Sequence, residues 1–327
     1  MVTATGIAPG SEMTAQMEQV EERNVSGVLH VAAIFGSHMV LQRNKPIAVF
    51  GALAADCAGM EVVAEIHDFD GSLIAQEHAY SSQNVVNGFS QWRVMLPAQP
   101  EGGPYTLRIV AGNDAIEFDD VLIGEVWLCS GQSNMEMPLR GFWCQPVEGA
   151  AQAIAYSGKY PGIRVATVPK RGAYEPQDKA EGKWMLSKPE NAHEFSALAY
   201  FFARSLTDML NVPVGIISCA YGGSKIEGWM PEALVSSYPG WDVEAEKSRP
   251  DSVFHEYERS SVMYNAMLHP VIGYTVKGFL WNQGESNVGR HKEYPEHQRD
   301  MVQAWRQEWG DDNLPFYFVE LPGWKYG

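Results

Sequence analysis

Ser133 stands just beyond an apolar run, Gly124-Glu125-Val126-Trp127-Leu128-Cys129-Ser130, in the segment Gly131-Gln132-Ser133-Asn134-Met135-Glu136-Met137. The run predicts a buried strand that stops at Ser130-Gly131 and passes within two residues into a polar, helix-compatible segment. A hydroxyl placed there stands at the carboxyl end of a strand, where open α/β sheets bind their ligands. Nucleophilic attack on an ester carbonyl is the chemistry such a serine suits. It needs three further things: a base, an acid that orients the base, and donors where the oxyanion develops. Ser130 is the rival serine, but it falls one step inside the strand end and reads as packing or turn-forming. The layout is that of a strand-turn-helix nucleophile turn, yet Met135 stands where G-x-S-x-G needs its second glycine. The α/β-hydrolase fold is therefore disfavoured.

A second segment of interest is Trp281-Asn282-Gln283-Gly284-Glu285-Ser286-Asn287, after the apolar run Gly278–Trp281. Taken with Gly131-Gln132-Ser133-Asn134-Met135-Glu136, it resembles the SGNH-hydrolase superfamily, and within it the sialate O-acetylesterase and acetylxylan esterase-like carbohydrate esterases. The resemblance runs from about Val28 to the last residue. It implies a three-layer α/β/α domain with a central parallel sheet, and release of acetate from acetylated saccharides, sialic acid or xylan-type, by a serine nucleophile. No metal or organic cofactor is implied.

The resemblance also assigns roles. Ser133 is the nucleophile, and its backbone N–H is one oxyanion donor. Cys219-Ala220-Tyr221-Gly222-Gly223-Ser224 resembles the second block, where two glycines let the backbone approach a bound group. Gly222 or Gly223 then supplies the next donor, with Gly223 preferred; taken alone, the pair would read as a tight loop. Gln283 offers a side-chain amide as a third donor. Glu285 and Asn287 are expected to meet sugar hydroxyls, although Glu285 could equally hold its loop by accepting backbone N–H bonds. Trp229, in Ile226-Glu227-Gly228-Trp229, is either a sugar platform or core.

The general base departs from this pattern. The resemblance implies an Asp-x-x-His segment well after Gln283-Gly284-Glu285, and no Asp-x-x-His occurs in the 327 residues. The expectation is that the catalytic Asp and His lie on a missing C-terminal segment or on a second polypeptide. The alternative is a catalytically inactive saccharide-binding protein. Of the nine histidines, His269 reads as structural and His193 as part of a loop before a helix. His255, His291 and His297 lie in polar helical stretches that read as solvated faces. His291, Glu293 and His297 match no common zinc spacing.

The elements that must position these residues fall into two groups. From Val28 to Val121, short β-like runs alternate with turns, over Val28–Phe35, Pro46–Gly51, Glu61–Ile66, Leu73–Ala79, Gln91–Leu96 and Tyr105–Val110. Asp70-Gly71 and Asn87-Gly88 are hairpin signals, and Gly102-Gly103-Pro104 reads as a break. Trp92, Val94 and Leu96 would share one buried face. This predicts a small antiparallel β-sandwich over 28–122 that shapes one wall of the cleft or, less in favour, binds carbohydrate. After Ile123 the rhythm is strand, helix, strand. The runs Val126–Cys129, Ile163–Val168, Val214–Cys219, Gly278–Trp281 and Phe316–Leu321 argue for a parallel sheet covered on both faces. The clearest helix is Glu194–Leu210, with Phe195, Leu198, Ala199, Phe202, Leu206, Met209 and Leu210 at helical spacing. The hydrolase domain is thus expected over 123–327.

Composition narrows the partners. Forty acidic against twenty-four basic residues give a net charge of −16, which repels phosphate backbones and anionic membrane surfaces. Neither nucleic acid nor a membrane is expected as a partner. Cys57, Cys129, Cys144 and Cys219 form no C-x-x-C pair, and Cys129 and Cys219 read as buried, inert thiols. Residues 1–27 read as a flexible acidic leader without the features of a secretory signal. The sequence as given therefore reads as cytoplasmic, although a secreted protein trimmed of its signal would look the same.

Overall fold

The computed structural model describes residues 27–178, 182–250, 255–321 and 323. Apart from Gly27, the expected leader lies outside the described residues. The fold is organised by one strand of 18 residues, Asp114–Gly131. Its first half is partly solvated, whereas every residue from Val121 to Gly131 is buried. That change follows its neighbours. The first half pairs antiparallel with the strand Gly102–Ala111 on a half-exposed sheet. The second half lies between two parallel strands, Val214–Ala220 and Gly278–Asn282, where an apolar sequence is needed on both faces.

Beyond Val214–Ala220 the sheet continues through the parallel strand Ile163–Thr167 to an antiparallel edge, Trp184–Leu186. Beyond Gly278–Asn282 it ends on the parallel strand Phe316–Phe318. The expected run Phe316–Leu321 is thus strand over only three residues, where it pairs with its one neighbour. Strand pleat divides the core in two. Trp127, Cys129, Ile216 and Leu280 pack on one face with the helix Ala197–Leu210. Val126, Leu128, Ile217, Phe279 and Trp281 pack on the other with Met301 and Trp305 of the helix Tyr294–Trp309.

Ser196 caps the helix Ala197–Leu210 by accepting from Ala199 N. Its apolar stripe extends further than the surface it covers. Tyr200 and Ala203 are buried and Leu206 is half-buried, but Met209 and Leu210 are exposed to solvent and do not belong to the core.

At the amino-terminal end, Leu29–Val31, Ile47–Ala54, Phe89–Leu96 and Val85–Val86 form a small antiparallel sheet. It packs on the strands Glu61–His67 and Leu73–Tyr80, which extend the large sheet. Trp92, Val94 and Leu96 are buried together on one face, and Asn87-Gly88 makes the hairpin turn with positive φ at both residues. Two expectations change here. Gly102-Gly103-Pro104 makes the first three residues of a strand, at a shift of register, and not a turn ahead of it. The boundary at 122/123 falls inside the long strand. Val40–Gln42 pairs parallel with Leu122–Gly124, and the Tyr274 hydroxyl donates to Val40 O. The two parts therefore share a sheet and a core.

Candidate active site

Register places the site. Ala220 and Asn282 both pair with Gly131, so three parallel strands end side by side. The loops that leave them carry Ser133, Gly222-Gly223 and Gln283. Gly131 permits this convergence. Its φ is +144°, and a β-carbon there would collide with the Asn282 carbonyl, so only glycine fits.

Ser133 opens a single helical turn, Ser133–Glu136, and its side chain is half-buried. Ser130 is fully buried, as expected of a packing residue. Gly222 lies directly against Ser133: a β-carbon on it would sit 3.6 Å from Ser133 Cβ and 3.0 Å from Glu136 Oε2. The Gly222 N–H donates to Glu136 Oε2 at 2.5 Å, and Glu136 Oε1 accepts from Lys170 at 2.7 Å. Gly222 is therefore already engaged. Among the described residues, the backbone N–H groups of Ser133 and Gly223 donate to no protein acceptor. Gly223 has φ +80°, and the Tyr257 ring packs where its β-carbon would be. Tyr257 also lies beside Tyr221. Burial and the neighbouring Glu256 carboxylate push the Tyr221 phenol up to about 12, so it stays protonated at neutral pH.

The loop after Gly278–Asn282 is laced to the serine turn. Gln132 Oε1 accepts from the backbone N–H groups of Gly284 and Ser286, each at 3.2 Å. Asn134 Nδ2 donates to Glu285 Oε1 at 2.6 Å, while Glu285 Oε2 is buried with no partner among the described residues. Gln283 is 3% exposed. Its Nε2 donates to Ser224 O at 3.0 Å and to Asn287 Oδ1 at 2.7 Å. Two acceptors take its two hydrogens, and Gln283 Oε1 is left buried without a partner. In this arrangement Gln283 has no hydrogen left for an oxyanion.

Two expected sugar contacts are corrected. Trp229 is 0% exposed, and its indole N–H donates to Ser224 Oγ at 2.9 Å. It supports the glycine loop from below and offers no platform. Asn287 is likewise buried. Its Oδ1 also accepts from Ile226 N, and its Nδ2 donates to both Glu227 oxygens at 3.1 and 3.0 Å. Every polar atom of that amide faces the interior.

Behind this row lies a residue pair that pattern reading missed. Glu227 and His297 are both 2% exposed, and His297 Nδ1 bonds Glu227 Oε1 at 2.8 Å. His297 stacks on Tyr238, so it is not on a solvated helix face. Burial alone would raise the Glu227 carboxyl. Hydrogen bonds from His297, Asn287 and its own backbone outweigh that and hold it below the usual carboxylate range. The sequence signal available was Glu227 flanked by apolar Ile226 and Trp229, since a carboxylate there must be buried with partners or exposed. Cys129 and Cys219 are buried free thiols whose ionisation burial pushes up.

A cavity of about 270 Å³ lies beside the third loop, between Gly284, Val288, His291 and Tyr294 on one side and Phe318 and Leu321 on the other. Ser133 does not line it. Among the described residues no group of three or more His, Cys, Asp or Glu side chains is placed to hold a metal ion, and no helix is long and apolar enough to cross a membrane.

Residues 123–325 match the family profile described as carbohydrate esterase, sialic acid-specific acetylesterase. The sequence is similar to sialate O-acetylesterases. It is 32% identical to that of Pongo abelii over 66% of this chain and 42% of the relative, and 29% identical to that of Homo sapiens over 92% and 58%. Among solved structures it is similar to a carbohydrate acetylesterase from Xanthomonas citri. That match has a TM-score of 0.72 and 33% identity, over 88% of this chain and 59% of the other. The chain thus spans about half the length of these relatives.

Proposed function

Since the chain belongs to the sialic acid-specific acetylesterase family of carbohydrate esterases, we propose that it takes part in O-deacetylation of saccharides, with Ser133 as the nucleophile. The substrate class is an acetylated sugar, of the sialic acid or xylan type. Ser133 Oγ adds to the acetyl carbonyl carbon, and its proton passes to a base. The tetrahedral oxyanion is held by the backbone N–H groups of Ser133 and Gly223. Collapse releases the sugar alcohol and leaves acetyl-Ser133, which water cleaves to acetate.

The observation that carries this reading is the contact of Gly222 with Ser133. It brings the glycine loop beside a half-buried hydroxyl, and the backbone N–H groups of Ser133 and Gly223 make no hydrogen bond among the described residues. Preorganised backbone donors of this kind are worth several kcal/mol, about 3, to an acyl-transfer transition state. Gly222 and Gln283 act around the hole, through the bonds that fix its walls. Glu285, half-buried and joined to Asn134, is the residue this reading assigns to a sugar hydroxyl.

The reading assigns the general base to the Asp and His that the family resemblance implies, supplied by another segment or by a second polypeptide. The small antiparallel sheet, with the strands Glu61–His67 and Leu73–Tyr80 that it packs on, serves as the accessory β-sandwich of this reading and buttresses the long strand. The test is acetate release from O-acetylated sialic acid and from acetylated xylan, with Ser133→Ala as the comparison. Loss of release in the variant is expected for whichever substrate is cleaved. Equal release by both proteins would remove Ser133 from the mechanism.

A further inference from the structure

Glu227 makes no hydrogen bond to Ser133, to Gly222 or to Gly223, yet it stands at the head of a directed chain that reaches their loop. An ionised carboxylate only accepts hydrogen bonds. Asn287 must therefore turn its Nδ2 toward Glu227, as found at 3.1 and 3.0 Å. Its Oδ1 then faces the other way, toward Ile226 N at 3.0 Å and Gln283 Nε2 at 2.7 Å. Gln283 in turn must present Nε2, and its second hydrogen goes to Ser224 O at 3.0 Å.

Reversing Asn287 would set an amide oxygen against the carboxylate and an NH2 group against Ile226 N–H. Reversing Gln283 would set its oxygen against two acceptors. The direction of both amides follows from the network and not from a choice of label. All four residues of the relay, Glu227, Asn287, Gln283 and Ser224, are at most 3% exposed, so water cannot substitute for a lost partner.

We propose that Glu227 is a positioning residue: its carboxylate sets the Asn287 and Gln283 amides in one direction and thereby ties the loop carrying Gly222 and Gly223 in place beside Ser133. The kinetic part of this proposal rests on the reading of Ser133 as an esterase nucleophile. Its structural part does not. Ser224 is the next residue after Gly223, so its carbonyl, held by Gln283, sets the plane of the following peptide. A second tie, Ser286 Oγ to Gly223 O at 2.9 Å, joins the same two loops. The donor that the relay steadies is used only when the oxyanion has formed. Its loosening should lower kcat per folded molecule and spare KM; a loss of folded protein would lower the apparent kcat in the same way, so exchange of the Gln283 amide, read on the folded fraction, separates the two.

The experiment compares the wild-type chain with Glu227→Gln, which keeps size and hydrogen-bonding capacity but can donate as well as accept. Side-chain amide exchange is followed by NMR with glutamine and asparagine labelled. In the wild type, the two Gln283 Nε2 hydrogens are expected to be resolved and slow to exchange. In Glu227→Gln that protection should fall, and kcat for acetyl-ester hydrolysis should drop about tenfold or more with KM within about twofold. Fast exchange at Gln283 in the wild type would overturn the relay, and this measurement needs no variant to fold. Unchanged protection and unchanged kcat in Glu227→Gln would overturn it as well. Ser133→Ala is assayed alongside. If turnover does not depend on Ser133, the esterase reading fails on its own account, and amide exchange alone decides the role of Glu227.

Discussion

Gly222 packs its backbone against Ser133, so closely that a β-carbon on residue 222 would lie 3.6 Å from Ser133 Cβ. This contact joins two loops that are 89 positions apart in numbering, from 222 − 133. It exists because their parent strands end in register, Ala220 beside Gly131.

Gly222→Ala should therefore perturb chemistry more than folding. Its new methyl group would sit 3.0 Å from Glu136 Oε2, tighter than an ordinary contact. Glu136 lies at the rim with Lys170 and can give way. Loss of kcat of about tenfold is expected from displaced oxyanion donors, with a thermal midpoint near that of the wild type. Steady-state kinetics and a melting curve on one preparation check both.

Gly131→Ala should do the opposite. Here φ is +144° and the obstacle is the backbone carbonyl of Asn282, which cannot move without parting the central strands. A loss of about 2 kcal/mol or more is expected from strain and displaced pairing. Denaturant unfolding measures it.

Trp229→Phe separates core from sugar platform. It keeps most of the buried ring but leaves Ser224 Oγ without its indole donor. A cost of about 1 kcal/mol is expected for the lost buried hydrogen bond. KM for an acetylated saccharide should not change, because the ring meets no solvent. A large rise in KM with unaltered stability would restore the platform role.

The Glu227 carboxyl is held below its usual range in the folded protein. A depressed folded-state pKa means that the unfolded chain binds the proton more readily. The stabilisation is present above the ordinary glutamate range and is lost as pH falls through the folded-state value. The stability difference between wild type and Glu227→Gln should accordingly be level from neutral pH down to about 5 and shrink below about 4. Unfolding free energies across that range test the sign.

Much of this was legible beforehand. The apolar run before Ser130-Gly131, the Gly222-Gly223 pair and the Gln283-Gly284-Glu285 loop marked the three strand ends, because buried parallel strands write themselves as continuous apolar segments. The extent of the long strand was not legible. Gly124 to Ser130 reads as one apolar run, but only pairing shows that the same strand begins in the antiparallel part at Asp114. Asn287 is expected at the sugar, and Trp229 stays open between sugar platform and core, for want of burial information. Their polar groups turn inward to one another's neighbours, and no spacing rule encodes that. Glu227 and His297 are 70 positions apart. A single acidic residue or histidine carries no sign of a partner that far along the chain.

The most direct test of Ser133 as nucleophile is peptide mapping by mass spectrometry of protein quenched during reaction with an activated acetyl ester, with turnover measured on the same sample for wild type and Ser133→Ala. The expected result is one acetyl group on the peptide that carries Ser133, and its disappearance together with turnover in the variant. Turnover undiminished in Ser133→Ala, or an acetyl group on a different serine, would contradict the account.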